Sequence, residues 1–386
     1  MKIVCAVSVL QGRDAFSSLG QVVLRPNRDI SRADLADARA LIVRSKTIVN
    51  RRLLEGTPVE FVATATAGSD HLDTAWLDSA GIAWTASPGC NANAVAEYVL
   101  TAIALLAQRH GAPPRGKTLG IIGVGQVGSR VAAKAPLLGI RPLLNDPPLT
   151  DAAPSANYLP LTDLLPRSDI ISLHPTLTDT PPHPSRHLAN AAFFELARPG
   201  AWFLNTSRGA ITDSDALRHA LDTRRLSACV LDVWEREPEL SPHLAQAADY
   251  LTPHIAGYSL EGLLNGTLQC HQQLARHLNR EPTWTPDPRQ LPPLPVLHVN
   301  AANRSDHDTL AEVLAAACPI PTDDHAWRHI MQTTSTSSLR TAFDQFRKNY
   351  TNRREFSACR LHLANASPSL RDTLAALGFQ LQNATP

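Results

Sequence analysis

The sequence predicts an α/β fold, in which parallel sheets carry helices on both faces. Three observations lead to this prediction. Short apolar runs alternate with helical patterns along most of the chain. Glycines in Gly-x-Gly-x-x-Gly spacing, Gly123, Gly125 and Gly128, stand between one apolar run and one helical pattern. With 386 residues, the chain is also too long for one ordinary core, so two or three domains are expected.

The N-terminal part of the chain alternates strand and helix patterns. A helix is predicted to start at Ser31, and strands are predicted at Ile3–Val7, Ala40–Val43 and Phe61–Thr64. Ligands of open α/β sheets bind beyond the carboxyl ends of strands. The residues at those ends are therefore candidate substrate contacts, namely Arg44, Ser45, Lys46 and Thr66. The alternative is that they form an ordinary solvated loop.

The segment around the three glycines carries the clearest signal. The apolar run Leu119–Ile122 predicts a buried strand, and the pattern after Gly128 predicts a helix. In this arrangement Gly123 allows a tight turn, Gly125 lets the backbone approach a pyrophosphate, and Gly128 lets helix and strand pack closely. The free N–H groups at the start of the helix would face the diphosphate.

A second predicted strand, Pro142–Asn145, is followed by Asp146, eighteen residues after Gly128. That offset is close to the roughly 20 residues expected for the carboxylate that binds the adenosine ribose. An acid at this position accepts hydrogen bonds from two hydroxyls and repels a 2′-phosphate. The sequence therefore predicts NAD rather than NADP as the cofactor. A glycine turn without a ligand is the alternative.

The rest of this region continues the alternation of strands and helices. N-caps at Asn91 and Asn93 predict a helix that runs to about Arg109. Pro136 is expected to end or kink the helix after the glycines. Further strands are predicted at Asp169–Leu173, Ala201–Asn205, Ala228–Asp232 and Tyr250–Thr252. Repeated units of this kind predict a parallel sheet.

Prolines cluster between Glu281 and Pro295, which predicts a stiff, extended linker. Beyond it, residues 296–386 have strand and helix patterns of their own and predict a third, small α+β domain. Its predicted strands and helices are Leu294–His298, Thr309–Cys318, Ala358–Leu363 and Leu370–Leu377.

Three residues that could carry out hydride transfer follow successive predicted strands. Arg208, Glu237 and His254 would meet at one edge of the sheet. A histidine can take the proton of an alcohol while hydride leaves the carbon, and a carboxylate on its other ring nitrogen fixes the tautomer. An arginine can bind a substrate carboxylate through two hydrogen bonds. Taken singly, the three have ordinary explanations as a surface ion pair, a cap and a loop residue.

Several motifs make the chain similar to the D-isomer-specific 2-hydroxyacid dehydrogenases. Besides the glycine loop, they are Ala65–Asp73 (ATAGSDHLD), Asn93–Glu97 (NAVAE), Asn205–Gly209 (NTSRG), Asp232–Pro238 (DVWEREP) and Thr252–Gly257 (TPHIAG). Other segments resemble a branch of the family that acts on a phosphorylated four-carbon hydroxy acid. Those segments are Val43–Ser45, Asp146–Pro148, His254–Ser259, Phe343–Tyr350 and Arg353–Glu355.

The resemblance implies a division of the chain into four parts. A flavodoxin-like substrate domain would comprise residues 1–92 and about 259–280, and a Rossmann-type NAD-binding domain would comprise residues 93–258. Residues 281–295 would be the linker, and residues 296–386 would be a dimerisation domain. A homodimer formed through the C-terminal domain is implied.

The resemblance also assigns roles to individual residues. Arg208 and Glu237 would be catalytic, and His254 would be the proton donor and acceptor. The substrate, a small phosphorylated hydroxy acid, would be held by Ser45, Thr66 and Tyr258. The NAD site would be lined by Gly123, Gly125, Gln126, Val127, Gly128, Asp146, Thr206, Ser207, Asp232 and Gly257. No metal is expected.

One departure from the family pattern concerns His174-Pro175-Thr176, where relatives usually read His-Thr-Pro. Proline has no N–H or hydroxyl to donate. The cofactor contact expected at Pro175 therefore stays open, and Thr176 is the candidate to replace it.

The substrate phosphate needs cations of its own. Arg44 and Lys46 are candidates near the predicted substrate residues, and we hypothesise that Arg347 in the tail reaches the cleft of a partner subunit. The alternative for Arg347 is a solvated helix face.

Composition argues against several other classes of protein. The formal charge is +1 with both signs mixed, which does not suit a nucleic-acid or anionic-membrane surface. Six scattered cysteines without a Cys-x-x-Cys pair predict reduced thiols and a cytoplasmic protein. No segment approaches the ~18 uninterrupted apolar residues that span a bilayer.

Two alternatives to this function remain. One is a dehydrogenase for 3-phosphoglycerate, which is one hydroxymethylene shorter, or for another D-2-hydroxy acid. One extra carbon changes binding by only about 1–3 kcal/mol, so these substrates stay open. The other is an NADH-sensing scaffold, since some transcriptional co-repressors share this fold. The presence of Arg208, Glu237 and His254 together favours an enzyme.

Overall fold

The computed structural model describes residues 1–154, 157–351 and 353–382. The chain forms two compact units, each built from separate stretches of sequence. Unit 1 contains residues 1–93 and 258–293, and unit 2 contains residues 94–257 and 294–386. The C-terminal residues thus share a unit with the segment that carries the glycine loop.

The elements are numbered in chain order. The strands are β1 (Lys2–Ala6), β2 (Gln21–Arg25), β3 (Ala38–Val43), β4 (Phe61–Thr64), β5 (Ala83–Thr85), β6 (Thr118–Ile122), β7 (Arg141–Asn145), β8 (Ile170–Leu173), β9 (Ala201–Asn205), β10 (Leu226–Leu231), β11 (Tyr250–Leu251), β12 (Val296–Asn300), β13 (Arg360–Ala364) and β14 (Gln380–Gln382). The helices are α1 (Gly12–Ser17), α2 (Arg51–Leu54), α3 (Thr74–Ser79), α4 (Ala92–Arg109), α5 (Gln126–Lys134), α6 (Pro147–Ala152), α7 (Leu161–Leu164), α8 (Ala191–Leu196), α9 (Ser214–Asp222), α10 (Pro242–Ala247), α11 (Leu260–His277), α12 (Asp306–Ala317), α13 (Ile320–Thr333), α14 (Thr336–Asn349) and α15 (Pro368–Leu377).

Unit 1 is built on a parallel sheet with the strand order β2-β1-β3-β4-β5. This is the flavodoxin-like order, so that prediction is confirmed. The strands β3 and β4 are buried almost throughout, as their apolar runs predicted. Ser31 caps a short 3₁₀ helix, and α11 packs its buried residues Cys270 and Leu274 into the same core.

Unit 2 contains a second parallel sheet, with the order β11-β10-β9-β8-β6-β7. A single bridge between Leu144 and Tyr158 extends the sheet beyond β7. The order reverses between β6 and β8, and ligands of doubly wound sheets bind at the carboxyl ends beside such a switch point. The Rossmann-type architecture is therefore confirmed.

Pro136 has the effect expected from the sequence. The helix α5 ends at Lys134, and Pro136 lies at the start of a 3₁₀ helix, Ala135–Leu138. Proline has no N–H for an i to i−4 hydrogen bond, so the α-helix stops and the tighter turn continues to Gly139.

The C-terminal part of unit 2 has its own parallel sheet, with the order β12-β13-β14. Two helices that the sequence did not predict, α13 and α14, precede β13. They contribute Trp327 and Phe343 to a core that also contains Trp234. The ring centroids of Trp234 and Trp327 are 6.3 Å apart. The C-terminal helices therefore pack directly behind the loop that follows β10.

Among the residues that the structure describes, no helix combines the length and the apolar composition needed to cross a bilayer.

Candidate active site

The glycine loop has the geometry that its spacing predicted. Gly123 has a φ of +85°, and a Cβ there would lie 2.5 Å from the backbone nitrogen of Pro175. A Cβ at Gly128 would overlap the carbonyl oxygen of Gly123. Gly125 instead faces open space, because a Cβ at this position would have no neighbouring atom within 4 Å. The loop thus packs tightly at its two outer glycines and is open at the middle one, where a pyrophosphate would approach.

Asp146 links the second strand of this sheet to the glycine loop. Its Oδ2 accepts a hydrogen bond from the Val124 N–H at 2.7 Å, and its Oδ1 accepts from the Leu149 N–H at 3.1 Å, capping α6. A carboxylate has about four lone-pair sites, so two remain for other donors. The position suits a pair of ribose hydroxyls.

Two further observations fit a dinucleotide. The helix α5 begins at Gln126 with Gly125 as its N-cap, so the first N–H groups, including that of Val127, have no partner within the helix. The hydroxyl oxygen of Thr206 is buried and has no hydrogen-bond partner. A buried hydroxyl in this state can form a hydrogen bond with a bound ligand or with water. The residues at this edge of the sheet therefore fit NAD.

The structure brings two of the three candidate catalytic residues into direct contact. The Nδ1 atom of His254 lies 3.0 Å from Oε2 of Glu237. The other carboxylate oxygen of Glu237 accepts the Trp234 N–H at 3.2 Å. Burial raises the pKa of Glu237, but the charge and hydrogen bond of His254, with lesser help from Trp234 and Arg347, bring that pKa below its usual value. Glu237 is therefore an ionised partner for the imidazole.

Asp232 fixes the loop that carries His254. Its Oδ1 accepts from the Thr252 hydroxyl at 2.6 Å and from the Ile255 N–H at 2.8 Å, and its Oδ2 accepts from the Ala256 N–H at 3.0 Å. Burial raises the pKa of Asp232, against the lowering effect of His254 and these donors. His254 itself has a φ of +57°, a backbone conformation that residues other than glycine adopt only at an energetic cost.

Arg208 lies at the end of the neighbouring strand β9, in a loop shaped by Asn205. The Asn205 side chain accepts from the Ser207 N–H at 3.0 Å and donates to the Arg208 carbonyl at 3.1 Å. A Cβ at Gly209 would overlap the Trp234 carbonyl oxygen. The loop of Arg208 therefore packs against the backbone that leads to Glu237.

Arg347 lies in α14 of the same unit. Its guanidinium is 5.2 Å from the centre of the Phe343 ring, and Phe343 packs edge-on against Trp234 at 6.0 Å. Its charge is one of those that lower the pKa of Glu237 in its own chain. The side chain is partly buried, so it is not on a fully solvated helix face.

The candidate substrate residues belong to unit 1, where they follow adjacent strands. Arg44, Ser45 and Lys46 follow β3, and Thr66 follows β4. The Thr66 hydroxyl lies 2.7 Å from that of Thr64, and the Thr64 oxygen lies 2.9 Å from Nε2 of His71. Tyr258 precedes Ser259, the N-cap of α11.

The remaining cofactor candidates follow the strands β8, β9 and β11 of unit 2. Pro175 lies against Gly123, and the adjacent Thr176 is exposed, with its carbonyl accepting the Ser185 hydroxyl at 2.6 Å. Ser207 donates its hydroxyl to Asn205 at 2.9 Å, and Gly257 follows the loop held by Asp232.

Sequence reasoning missed the residues that support these side chains. Tyr98 on α4 is fully buried, and its hydroxyl lies 2.6 Å from the Thr252 hydroxyl that donates to Asp232. A tyrosine among apolar helix residues has the pattern of an ordinary core residue. Asn205 carried a weak signal, because it ends a strand in a recognisable motif.

Two family models match the chain. The model "D-isomer specific 2-hydroxyacid dehydrogenase, NAD binding domain" matches residues 102–256, and a domain of unknown function matches residues 290–378. The chain is 42% identical over 379 residues to erythronate-4-phosphate dehydrogenase of Edwardsiella ictaluri, covering 98% of this chain and 99% of the relative. It is 40% identical to the enzyme of that name from Escherichia coli over 98% of each chain.

Solved structures of other dehydrogenases and reductases share the fold of most of the chain. A glyoxylate reductase from Paecilomyes thermophila has a TM-score of 0.58 and 25% identity, covering 75% of this chain and 98% of that one. The NAD-dependent formate dehydrogenase of Staphylococcus aureus, in complex with NAD, has a TM-score of 0.60 and 22% identity, covering 74% and 97%. The second likeness supports the fold alone. The family model confirms an NAD-binding domain in this chain.

Proposed function

The chain belongs to the erythronate-4-phosphate dehydrogenase family of D-2-hydroxyacid dehydrogenases, and we propose from this that it oxidises 4-phospho-D-erythronate with NAD. The product is (R)-3-hydroxy-2-oxo-4-phosphooxybutanoate, an intermediate on the way to pyridoxal 5′-phosphate. The observation that carries the proposal is the His254–Glu237 pair, at 3.0 Å, which follows strands of the same sheet as a loop and helix start that fit a dinucleotide.

The residues divide the reaction between them. His254 takes the proton of the substrate 2-hydroxyl on Nε2, because Nδ1 donates to the ionised Glu237. Glu237 stabilises the imidazolium that results. Arg208 binds the substrate carboxylate, which places the 2-hydroxyl beside His254. Bound NAD supplies the hydride acceptor.

The cofactor and the substrate are assigned to different sets of residues. NAD is held by the glycine loop, Asp146, Thr206, Ser207, Asp232 and Gly257, and Thr176 supplies the donor that Pro175 lacks. The carboxylate and hydroxyls of the substrate contact Ser45, Thr66 and Tyr258, and Arg44 and Lys46 bind its phosphate. The six cysteines are buried thiols, which suits a reducing cytoplasm as the place of action.

A substrate comparison tests this proposal. Purified protein is supplied with NAD and, in turn, 4-phospho-D-erythronate, 3-phosphoglycerate and unphosphorylated D-erythronate, and NADH formation is followed. We expect the highest kcat/KM with 4-phospho-D-erythronate. A higher kcat/KM with 3-phosphoglycerate would mean that this shorter acid is the substrate. If no NADH forms with any of the acids, a scaffold that senses NADH is favoured.

Arg347 and the homodimer form a second, finer part of the proposal. The C-terminal domain dimerises the protein, and Arg347 of one subunit reaches the substrate phosphate in the cleft of the other. Arg347→Ala should then raise the KM for the phosphorylated substrate and leave the mass in solution that of a dimer. If Arg347 acts only on Glu237 of its own chain, kcat will fall at unchanged KM, and this part of the proposal is wrong.

A further inference from the structure

A buried arginine near the C-terminus contacts two distant parts of unit 2. Arg353 is 8% exposed. Its Nη2 donates to the Ala94 carbonyl at 2.5 Å and to the Ala256 carbonyl at 3.1 Å, and its Nη1 lies 3.2 Å from Oε2 of Glu97. Ala256 is two residues after His254. One guanidinium therefore joins the C-terminal part, the helix α4 and the loop of the candidate catalytic histidine.

Glu97 completes the connection from the other side. It is 1% exposed, and its Oε1 accepts the Phe356 N–H at 3.0 Å while Oε2 faces Arg353. Burial raises the pKa of Glu97 to about 7, against the lowering effect of Arg353. A buried ion pair of this kind often contributes little net stability, because desolvation offsets the attraction. The feature to explain is therefore the position of the Arg353 guanidinium between α4 and the loop of His254, rather than the stability that the ion pair contributes.

The backbone of the loop after β11 is held both through its N–H groups and through one of its carbonyls. The N–H groups of Ile255 and Ala256 donate to Asp232, and the carbonyl of Ala256 accepts from Arg353. His254 has a positive φ of 57° and its N–H donates to the Asp232 carbonyl at 2.8 Å. A residue in a costly backbone conformation keeps it only when the surroundings over-determine it. Arg353 supplies the part of that restraint which comes from the C-terminal domain.

We propose that Arg353 is a positioning residue, through which the C-terminal domain fixes the catalytic loop of its own chain. The inference rests on the proposed role of His254. It gives the C-terminal domain a second task besides dimerisation, within one subunit. Lysine would be a poor substitute, because a single ammonium group does not match the fork that addresses Glu97, Ala94 and Ala256 together.

Substitution of both members of the ion pair tests the proposal. Arg353→Met alone leaves Glu97 buried and unpaired, which is a strongly destabilising change and risks misfolding. The double variant Arg353→Met/Glu97→Met removes both charges and should fold, since apolar replacements of a buried pair are often tolerated. Arg353→Lys serves as the conservative variant and should recover only part of the activity.

The matched control is the double variant Arg328→Met/Asp324→Asn, which removes both charges of a second, partly buried pair and keeps an oxygen that can accept the Leu251 N–H. Arg328 also belongs to the C-terminal part, pairs with Asp324 at 2.7 Å and donates to the backbone carbonyls of Ala245 and Ala248. It therefore joins the C-terminal part to α10 and the residue after it, without contacting residues 254–256. This control variant should lower the melting temperature and leave kcat near the unsubstituted value.

Two readouts separate positioning from general stability. Hydrogen exchange is measured on the amides of residues 254–257, and kcat is measured apart from KM. In the double variant we expect exchange at these amides to rise and kcat to fall about tenfold to a hundredfold at little-changed KM, because small displacements of reacting groups have effects of this size.

Unchanged exchange overturns the proposal, whatever the activity. So does a fall in kcat equal to that of the Arg328→Met/Asp324→Asn control. If exchange rises but the unsubstituted protein does not turn over, the proposed function fails and the role of Arg353 in holding the loop stands.

Discussion

At the scale of the residue, the account depends on how Glu237 and His254 face each other. The carboxylate has one oxygen on the Trp234 N–H and the other on Nδ1 of His254. This arrangement leaves Nε2 of the imidazole as the atom that can accept a proton. The tautomer is thus set by a carboxylate that lies 17 residues earlier in the chain.

Replacing Glu237 with glutamine should reverse that tautomer. The amide would donate to Nδ1, so Nε2 would carry the proton and no longer act as a base. By analogy with asparagine in the serine-protease triad, kcat for oxidation should fall by about 10²–10⁴ with little change in NAD affinity. Steady-state kinetics and NAD titration by fluorescence measure both quantities.

A matched control lies two residues earlier in the chain. Glu235 pairs with His187 at 2.7 Å, and its side chain is 21% exposed, as is that of Glu237. Glu235→Gln should leave kcat near its original value. Equal decreases in the two variants would mean that the Glu237–His254 pair has no special role.

His71 in unit 1 gives a prediction about pH and stability. It is 8% exposed, and burial lowers its pKa to about 4, with Asp70 opposing the shift. Between its ordinary value of 6.5 and about 4, the unfolded chain binds a proton that the folded chain does not. Stability from this group is therefore complete above pH 6.5 and is lost as the pH falls through that range.

The size of this effect is testable by denaturant unfolding. One pKa unit corresponds to about 1.4 kcal/mol, so His71 should account for up to about 3 kcal/mol of the decrease between pH 7 and pH 4. His71→Gln should reduce the pH dependence of the unfolding free energy by that amount. The same slope in both proteins would contradict the assignment.

At the scale of the element, the candidate catalytic residues all follow the carboxyl ends of parallel strands. Strands β4 and β9 were predicted to the residue, because buried runs stop abruptly at polar loops. The helix α14 was missed, since it starts in a segment rich in serine and threonine, which favour caps over helix interiors. The three catalytic candidates are recognisable in the sequence because each follows a strand. The contacts of Asp232 and Arg353 are not, because they join backbone atoms far apart in sequence.

Asp146, which lies between β7 and α6, gives a prediction about the preference for NAD over NADP. Asp146→Ser retains a cap for α6, since serine is also a good N-cap, but removes the charge that repels a 2′-phosphate. We expect kcat/KM for NAD to fall about tenfold and the preference for NAD over NADP to fall by more, because hydrogen bonds to a charged group contribute about 1.5–3 kcal/mol.

An exposed acid in the same helix provides the comparison. Asp151 lies in α6 and pairs with His183 at 2.7 Å. Asp151→Ser should leave the preference for NAD unchanged. If Asp146→Ser has as little effect, the ribose is not bound at Asp146.

At the scale of the whole molecule, the chain divides its tasks between two compact units. Unit 2 combines the NAD-binding sheet with the C-terminal helices and strands, which share its hydrophobic cores. Unit 1 carries the candidate substrate residues at the ends of β3 and β4. The sequence indicated the two larger parallel sheets. The hydrophobic core that the C-terminal part shares with the six-stranded sheet depends on packing that no local pattern reveals.

The most direct test of the account is transfer of the hydrogen on C2 of the substrate. The protein is incubated with NAD and 4-phospho-D-erythronate that carries deuterium at C2, and the NADH is analysed by mass spectrometry. The account predicts that the NADH contains one deuterium, and that His254→Asn slows its appearance without changing its isotopic content. NADH without deuterium, or no NADH at all, would contradict hydride transfer from this substrate.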